Sequence, residues 1–416
     1  MVKYLKLLIG EIKYFWMIPF SVILFPGAIL KNFFYRKPAK SVYFIGNSYN
    51  AFYTLAESLR KNGWKAKSVS PDRDQQFVQN YHMLVDLSTT RDSVRVFLDI
   101  IFNYRFLHVY NRTNQLIYTG LNPFLKILLT AENLKKCGVS IIFTPSGCLD
   151  GSTSKEINII TGGLCNKCIW QGNDLVCNDK RNQKRINWIM KNCSLFSNEV
   201  DLPKKLSYSS IGLNLPLSPL NSEILNPKII VPTSYKISKK KDEVLVFTAY
   251  GNENIRKNDQ RDIKGKKYIM DAINRIIEEG YPVKHFHATS IPSKDMKYYQ
   301  VQADIIVDQL NYGTIGSAAR EGMMLGKLVV CHVSELVRGT NVAMRNCPAI
   351  DATEESIYEV LKKLVLMSRK ERLSIGEKSR RWMLQWFDVG VCADRYGKIL
   401  SCLANKESLH PESKFL

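Results

Sequence analysis

The stretch ADIIVDQLNYGTIGSAAREGMMLGKLVVCHV, Ala303 to Val333, constrains the fold more than any other part of the chain. Two apolar runs, Asp304–Leu310 and Leu328–Val333, read as strands, and Ser317–Leu325 between them reads as a short helix. Strand, helix, strand in that order implies a parallel pair, with a binding crevice where the strands end. The same order recurs upstream. In SVYFIGNSYNAFYTLAESLRKNGWKAKSVS, Val42–Ile45 is a strand run, Gly46-Asn47-Ser48 a turn, Ala51–Lys61 a helix and Lys65–Val69 a second strand. MLVDLS, FLHVYN and SIIFTPSG continue the series. A proline-rich, charged stretch, residues 215–241, then reads as a linker. A second series begins with EVLVFTAYG, and a helical region, residues 354–404, closes it. The reading is therefore an α/β chain of two strand–helix domains with a cleft between them.

Length agrees, since 416 residues suit two domains of ordinary size. A hydrophobic content of 45% excludes wholesale disorder. The net charge of +21 points to anionic partners. No aromatic-basic string or zinc-finger spacing favours nucleic acid, which leaves an anionic membrane face or a phosphorylated substrate.

The first forty residues differ in kind. From Tyr14 to Leu30 no residue is charged, a run of 17, near the lower limit of about 17–25 for a spanning helix. Pro19, Pro26 and Gly27 interrupt it. Lys3, Lys6 and Lys13 precede it, Lys31, Arg36, Lys37 and Lys40 follow, and aromatic residues stand at both ends. Residues 1–37 are expected to dip into one leaflet at the cytoplasmic face, with lysines on anionic headgroups. The competing reading is a helical hairpin buried in the soluble core.

The quoted stretch also carries chemistry. Amides at a helix N-terminus lack internal partners and attract anions. Gly313 and Gly316 stand just before the helix and would let its backbone approach a ligand. Glu321, inside the helix, is placed to accept hydrogen bonds from a ribose diol. With Thr314, Ile315 and Ser317 these residues outline a nucleoside diphosphate site. The competing reading is a surface turn with a solvated glutamate.

The stretch resembles the donor-binding signature of GT-B glycosyltransferases, in the retaining group called glycosyltransferase family 4 or group 1. Its Glu-x-Met-x-x-Gly-Lys-x-Val-Val pattern appears here as Glu321, Met323, Gly326, Lys327, Val329 and Val330. Upstream, Lys264-Gly265 before a helix resembles the family's phosphate-binding lysine, with Arg256 and Arg261 as candidate companions. The resemblance implies two Rossmann-like domains, and a sugar moved from a UDP- or GDP-sugar to a hydroxyl, with retention and without a catalytic divalent metal. It implies Lys264 and Glu321 as the functional pair, and a lipid-linked or polysaccharide acceptor on residues 38–220. The donor domain would be 221–385, and residues 386–416 would return to the first domain. Gly46 and Asn47, at the end of the first strand, face the cleft. Many members carry a first glutamate eight residues before the second. Here that position is Gly313, and Asp308 is the candidate stand-in. The missing acid supports an alternative, a non-catalytic binding or regulatory subunit of a cell-envelope glycan assembly; a third option is a nucleotide-sugar epimerase. His108, near a strand end, reads as structural more readily than as functional.

Ten cysteines in this length do not form a disulfide scaffold. Cys165-x-x-Cys168, with Cys177 and either Cys148 or Cys193, has the spacing of a structural zinc site. Unrelated loop thiols are the alternative.

Overall fold

The computed structural model describes residues 17–34, 37–46, 51–70, 80–86, 89–110, 130–145, 153–168, 170–173, 177–197, 212–213, 215–250, 264–410 and 412–415. The first element among the described residues is α1 (Met17–Phe34). The chain continues with β1 (Ser41–Ile45), α2 (Ala51–Lys61), β2 (Lys65–Ser70), β3 (Met83–Leu84), α3 (Thr90–Asn103), β4 (Phe106–Tyr110) and α4 (Ala131–Lys136). Next come β5 (Ser140–Thr144), α5 (Ser154–Thr161), α6 (Asp179–Asn192), β6 (Leu195–Ser197) and β7 (Gly212–Leu213). These seven strands form one parallel sheet in the order β3-β2-β1-β4-β5-β6-β7.

The second half adds β8 (Val244–Ala249), α7 (Lys266–Glu278), β9 (Val283–Ala288), α8 (Ser293–Gln300), β10 (Ile305–Val307), α9 (Ser317–Met324) and β11 (Leu328–Val330). Its parallel sheet runs β11-β10-β8-β9. Four helices follow: α10 (Glu335–Thr340), α11 (Ile357–Leu366), α12 (Arg369–Phe387) and α13 (Val389–Asn405).

The central strands are covered on both faces and are buried along their whole length, as in β1, β8 and β10. In β1, Val42 and Phe44 pack with Phe52, Leu55 and Leu59 of α2 and Tyr396 of α13, while Tyr43 and Ile45 share a cluster with Phe97 and Ile100 of α3. Each such side chain contributes about 1.5–3 kcal/mol by leaving water. In the second sheet, Val244 and Val246 meet Ile269 and Ile273 of α7 and Leu361 of α11.

α13 belongs by its contacts to the first domain. Tyr396 is fully buried and its hydroxyl bonds His108 Nδ1 at 2.7 Å, while Thr144 Oγ1 lies 2.8 Å from His108 Nε2. Burial drives the His108 pKa down to about 3. His108 is thus a neutral structural residue joining two strands to α13. The chain crosses between the domains twice, side by side: Leu220 N–H donates to Phe387 O at 2.8 Å, and Val389 N–H to Leu220 O at 3.1 Å.

β10 is shorter than its apolar run. Past Val307 the chain leaves the sheet because its polar groups find other partners: Asp308 turns inward, and Leu310 N–H donates to Lys264 O at 3.1 Å. α1 lies against α3, with Ala28 buried, Phe25 stacked on Phe97 at 6.4 Å, and Lys31 Nζ donating to Phe102 O at 3.2 Å. Its other face is open, with Ile23 70% and Leu30 57% exposed. Among the described residues no helix is long and apolar enough to cross a membrane.

Candidate functional site

The site lies at the C-terminal ends of β8 and β10, at the start of α9. Lys264 stands two residues ahead of α7, and its ammonium donates to Asp308 Oδ1 at 2.5 Å and to Ala249 O at 3.0 Å. The Asp308 side chain is fully buried. Its second oxygen accepts from the α9 backbone at Ala319 N, 3.1 Å away. One carboxylate therefore meets both the lysine charge and the positive end of α9.

This arrangement changes the account of the two glycines. A Cβ on Gly316 would lie 2.3 Å from Asp308 Oδ2, so the missing side chain makes room for that carboxylate. Gly313 has φ +76°, where L side chains are strained, and a Cβ there would lie 2.7 Å from the carbonyl oxygen of Ile160, on α5 of the other domain. The sequence assigns both spaces to ligand; protein atoms occupy both. Asp308 is likewise no stand-in for a sugar-binding glutamate, because it is sealed beneath α9 and bonded on both oxygens.

Glu321 sits one turn into α9, partly buried, and accepts from Gln300 Nε2 at 3.1 Å. Burial raises its carboxyl to about 7; the Gln300 hydrogen bond and the Arg320 charge oppose that rise, the Asp308 charge adds to it, and the Lys264 charge opposes it. Lys264, Asp308 and Glu321 thus lie within electrostatic reach of one another. Gln300 is wholly buried at the end of α8, and its Oε1 has no hydrogen-bond partner among the described residues. Nothing in the local sequence marks Gln300, since only the tertiary contact between α8 and α9 brings it to Glu321. At the β8–β9 edge, Thr248 Oγ1 lies 2.9 Å from His285 Nε2 and 2.8 Å from His287 Nδ1. The alternation in His285-Phe286-His287 is the signal that both rings share a face.

The remaining candidates are dispersed. Thr314 and Ile315 are buried, and with Arg320, Pro216 and Phe387 they line a cavity of about 70 Å³ between the domains. Ser317 is the exposed first residue of α9. Gly46 ends β1, its N–H donating to Val69 O at 3.3 Å. Asn47, Arg256, Arg261 and Cys148 lie outside the described residues. The expected zinc site is not assembled: among the described residues no three His, Cys, Asp or Glu side chains group to hold a metal. Cys165 and Cys168 instead span a tight turn, Cys168 N–H donating to Cys165 O at 3.1 Å.

The fold has counterparts among solved structures. Sucrose-phosphate synthase from Thermosynechococcus elongatus superposes with a TM-score of 0.57 at 12% identity, over 88% of this chain and 100% of that one. The catalytic domain of starch synthase IV from Arabidopsis thaliana, bound to ADP and acarbose, gives 0.53 at 10% identity over 88% and 99%. Anabaena HepE in complex with UDP gives 0.51 at 10% identity over 87% and 99%. This chain has the GT-B fold. No protein-family model matches its sequence, and no curated protein is significantly similar to it. Lys264 and Glu321 both lie in the second domain of this fold, at the C-terminal edge of its sheet.

Proposed function

We propose that the protein is a glycosyltransferase that moves a sugar from a nucleoside diphosphate donor to a hydroxyl, with retention. The observation that carries this reading is the convergence of Lys264 and Glu321 at the C-terminal edge of the second sheet of a GT-B fold, where ligands of open α/β sheets bind. UDP in HepE and ADP in starch synthase IV support a nucleoside diphosphate as the ligand. In this reading Glu321 accepts hydrogen bonds from the ribose hydroxyls, and Gln300 fixes the carboxylate for them. Lys264 turns from Asp308 toward the diphosphate and offsets the charge that grows on the leaving group. The leaving phosphate takes the proton of the incoming hydroxyl. The acceptor is lipid-linked or polysaccharide, bound on the first domain.

The membrane setting is supported by α1. Pro19, Ile23, Pro26, Gly27 and Leu30 are exposed, and their spacing puts them on one helix face beside the exposed Lys31. That face is apolar with a basic border, suited to the headgroup region of an anionic leaflet at the cytoplasmic side.

A second reading, a nucleotide-binding subunit without turnover, is favoured by the 2.5 Å ion pair, which already neutralises Lys264. Calorimetry with UDP, GDP and ADP tests the site itself. Glu321→Gln keeps the shape but weakens charge-assisted bonds worth roughly 1.5–3 kcal/mol, so affinity for the preferred nucleotide should fall about tenfold or more. Equal affinity in a variant that folds as well as the wild type would remove α9 from the donor site.

A further inference from the structure

We propose that a cavity at the N-terminal ends of β8, β10 and β11 is a second anion site, taking a small phosphate-bearing ligand on Lys327 and Arg369. The cavity has a volume of about 320 Å³, at the small end for a metabolite. Its walls are the linker at Lys239, the approach to β10 at Asp304, the turn at Lys327, and the first turn of α12 with Arg369 and Arg372. It lies at the opposite end of the strands from Glu321, so the donor site does not include it.

The charges there are unbalanced. Asp304 is the only acid in the lining, and its Oδ2 is already used, accepting from Lys239 Nζ at 2.6 Å and from Leu245 N at 2.8 Å. Neither the Lys327 ammonium nor the Arg369 guanidinium has a hydrogen-bond partner among the described residues. Arg372 Nη1 is held by the carbonyls of Leu364, Val365 and Met367 at the end of α11. Its Nε is buried and without a partner among the described residues. A buried donor without a partner, as Arg372 Nε is, is costly, and an anion that accepts from it removes that cost. A phosphate group suits the pair, with three oxygens to divide between an ammonium and a guanidinium. Burial, with the charges of Lys239 and Arg369, lowers the Lys327 pKa to about 8 against the opposing pull of Asp304. A bound anion would raise it again, so binding near pH 8 should take up protons.

Titration calorimetry of the full chain with pyrophosphate, in buffers of differing ionisation heat, tests the site. The wild type should show proton-linked binding at pH 8. Lys327→Met should weaken that binding about tenfold or more and abolish the uptake, and Arg369→Ala, at an exposed position, should weaken the binding about tenfold or more. Glu321→Gln should leave it unchanged, so failure of the donor reading would not touch this result. Flotation with phosphatidic acid vesicles distinguishes a lipid headgroup from a soluble ligand: loss of retention in Lys327→Met assigns the lipid, and unchanged retention with weakened pyrophosphate binding assigns the soluble ligand. Pyrophosphate binding and vesicle retention unaffected by both substitutions, or no binding at all, would overturn the proposal.

Discussion

Asp308 and Gly316 show how one residue choice imposes another. The Asp308 carboxylate fills the volume a side chain on Gly316 would need, so Gly316→Ala should overpack the start of α9 and cost roughly 1–3 kcal/mol. Asp308→Ala breaks the ion pair but empties that volume. The double substitution should therefore cost less than the two single costs added together, as read from urea unfolding; strict additivity would contradict the contact. The same ion pair complicates Lys264→Ala, which would strand a buried carboxylate as well as remove a donor contact. Glu321 gives a pH prediction. Its native pKa of about 7 exceeds the ordinary value of 4.5, so the native state binds the extra proton between them. Its contribution to stability is therefore full below pH 4.5 and lost as pH rises through about 7. Wild-type stability relative to Glu321→Gln should fall across that window, and a constant difference would contradict the assignment. The sequence singles out Glu321 and Lys264 because each sits in a local pattern. It conceals Gln300 and the true neighbours of Gly313 and Gly316, because those depend on which chain segments meet in space.

At the scale of elements, strand and helix positions are legible because apolar runs and glycine or proline breaks are local signals. α2 spans the residues its spacing indicates, Ala51–Lys61. β10 ends early where Leu310 N–H turns to Lys264 O, and past β11 Cys331 N–H pairs with Ile350 O; no local pattern records either contact. α1 combines features of both readings of the N-terminus: one face is packed on α3 as a core helix would be, and the other is exposed and apolar. Ile23→Glu with Leu30→Glu should accordingly leave the unfolding midpoint unchanged, since both side chains are largely exposed, yet abolish retention on anionic vesicles at low salt. Retention equal to wild type would show that this face does not meet the membrane. The Cys-x-x-Cys spacing is the element-scale signal that misleads: two cysteines three residues apart also suit a turn.

For the whole molecule, the two crossings at Leu220 and Asp388 and the closure of α13 on the first sheet tie together domains whose apposed surfaces include Gly313 and Ile160. Such a frame serves enzymes and binding proteins alike. What separates them is turnover. The full-length protein, incubated with a panel of UDP- and GDP-sugars without acceptor, should slowly release the nucleoside diphosphate from one of them, and Glu321→Gln should release it at least about tenfold more slowly at sub-saturating donor. A protein that binds the nucleoside diphosphate but releases none from any sugar donor, with or without a lipid-linked acceptor, would contradict the assignment as a glycosyltransferase.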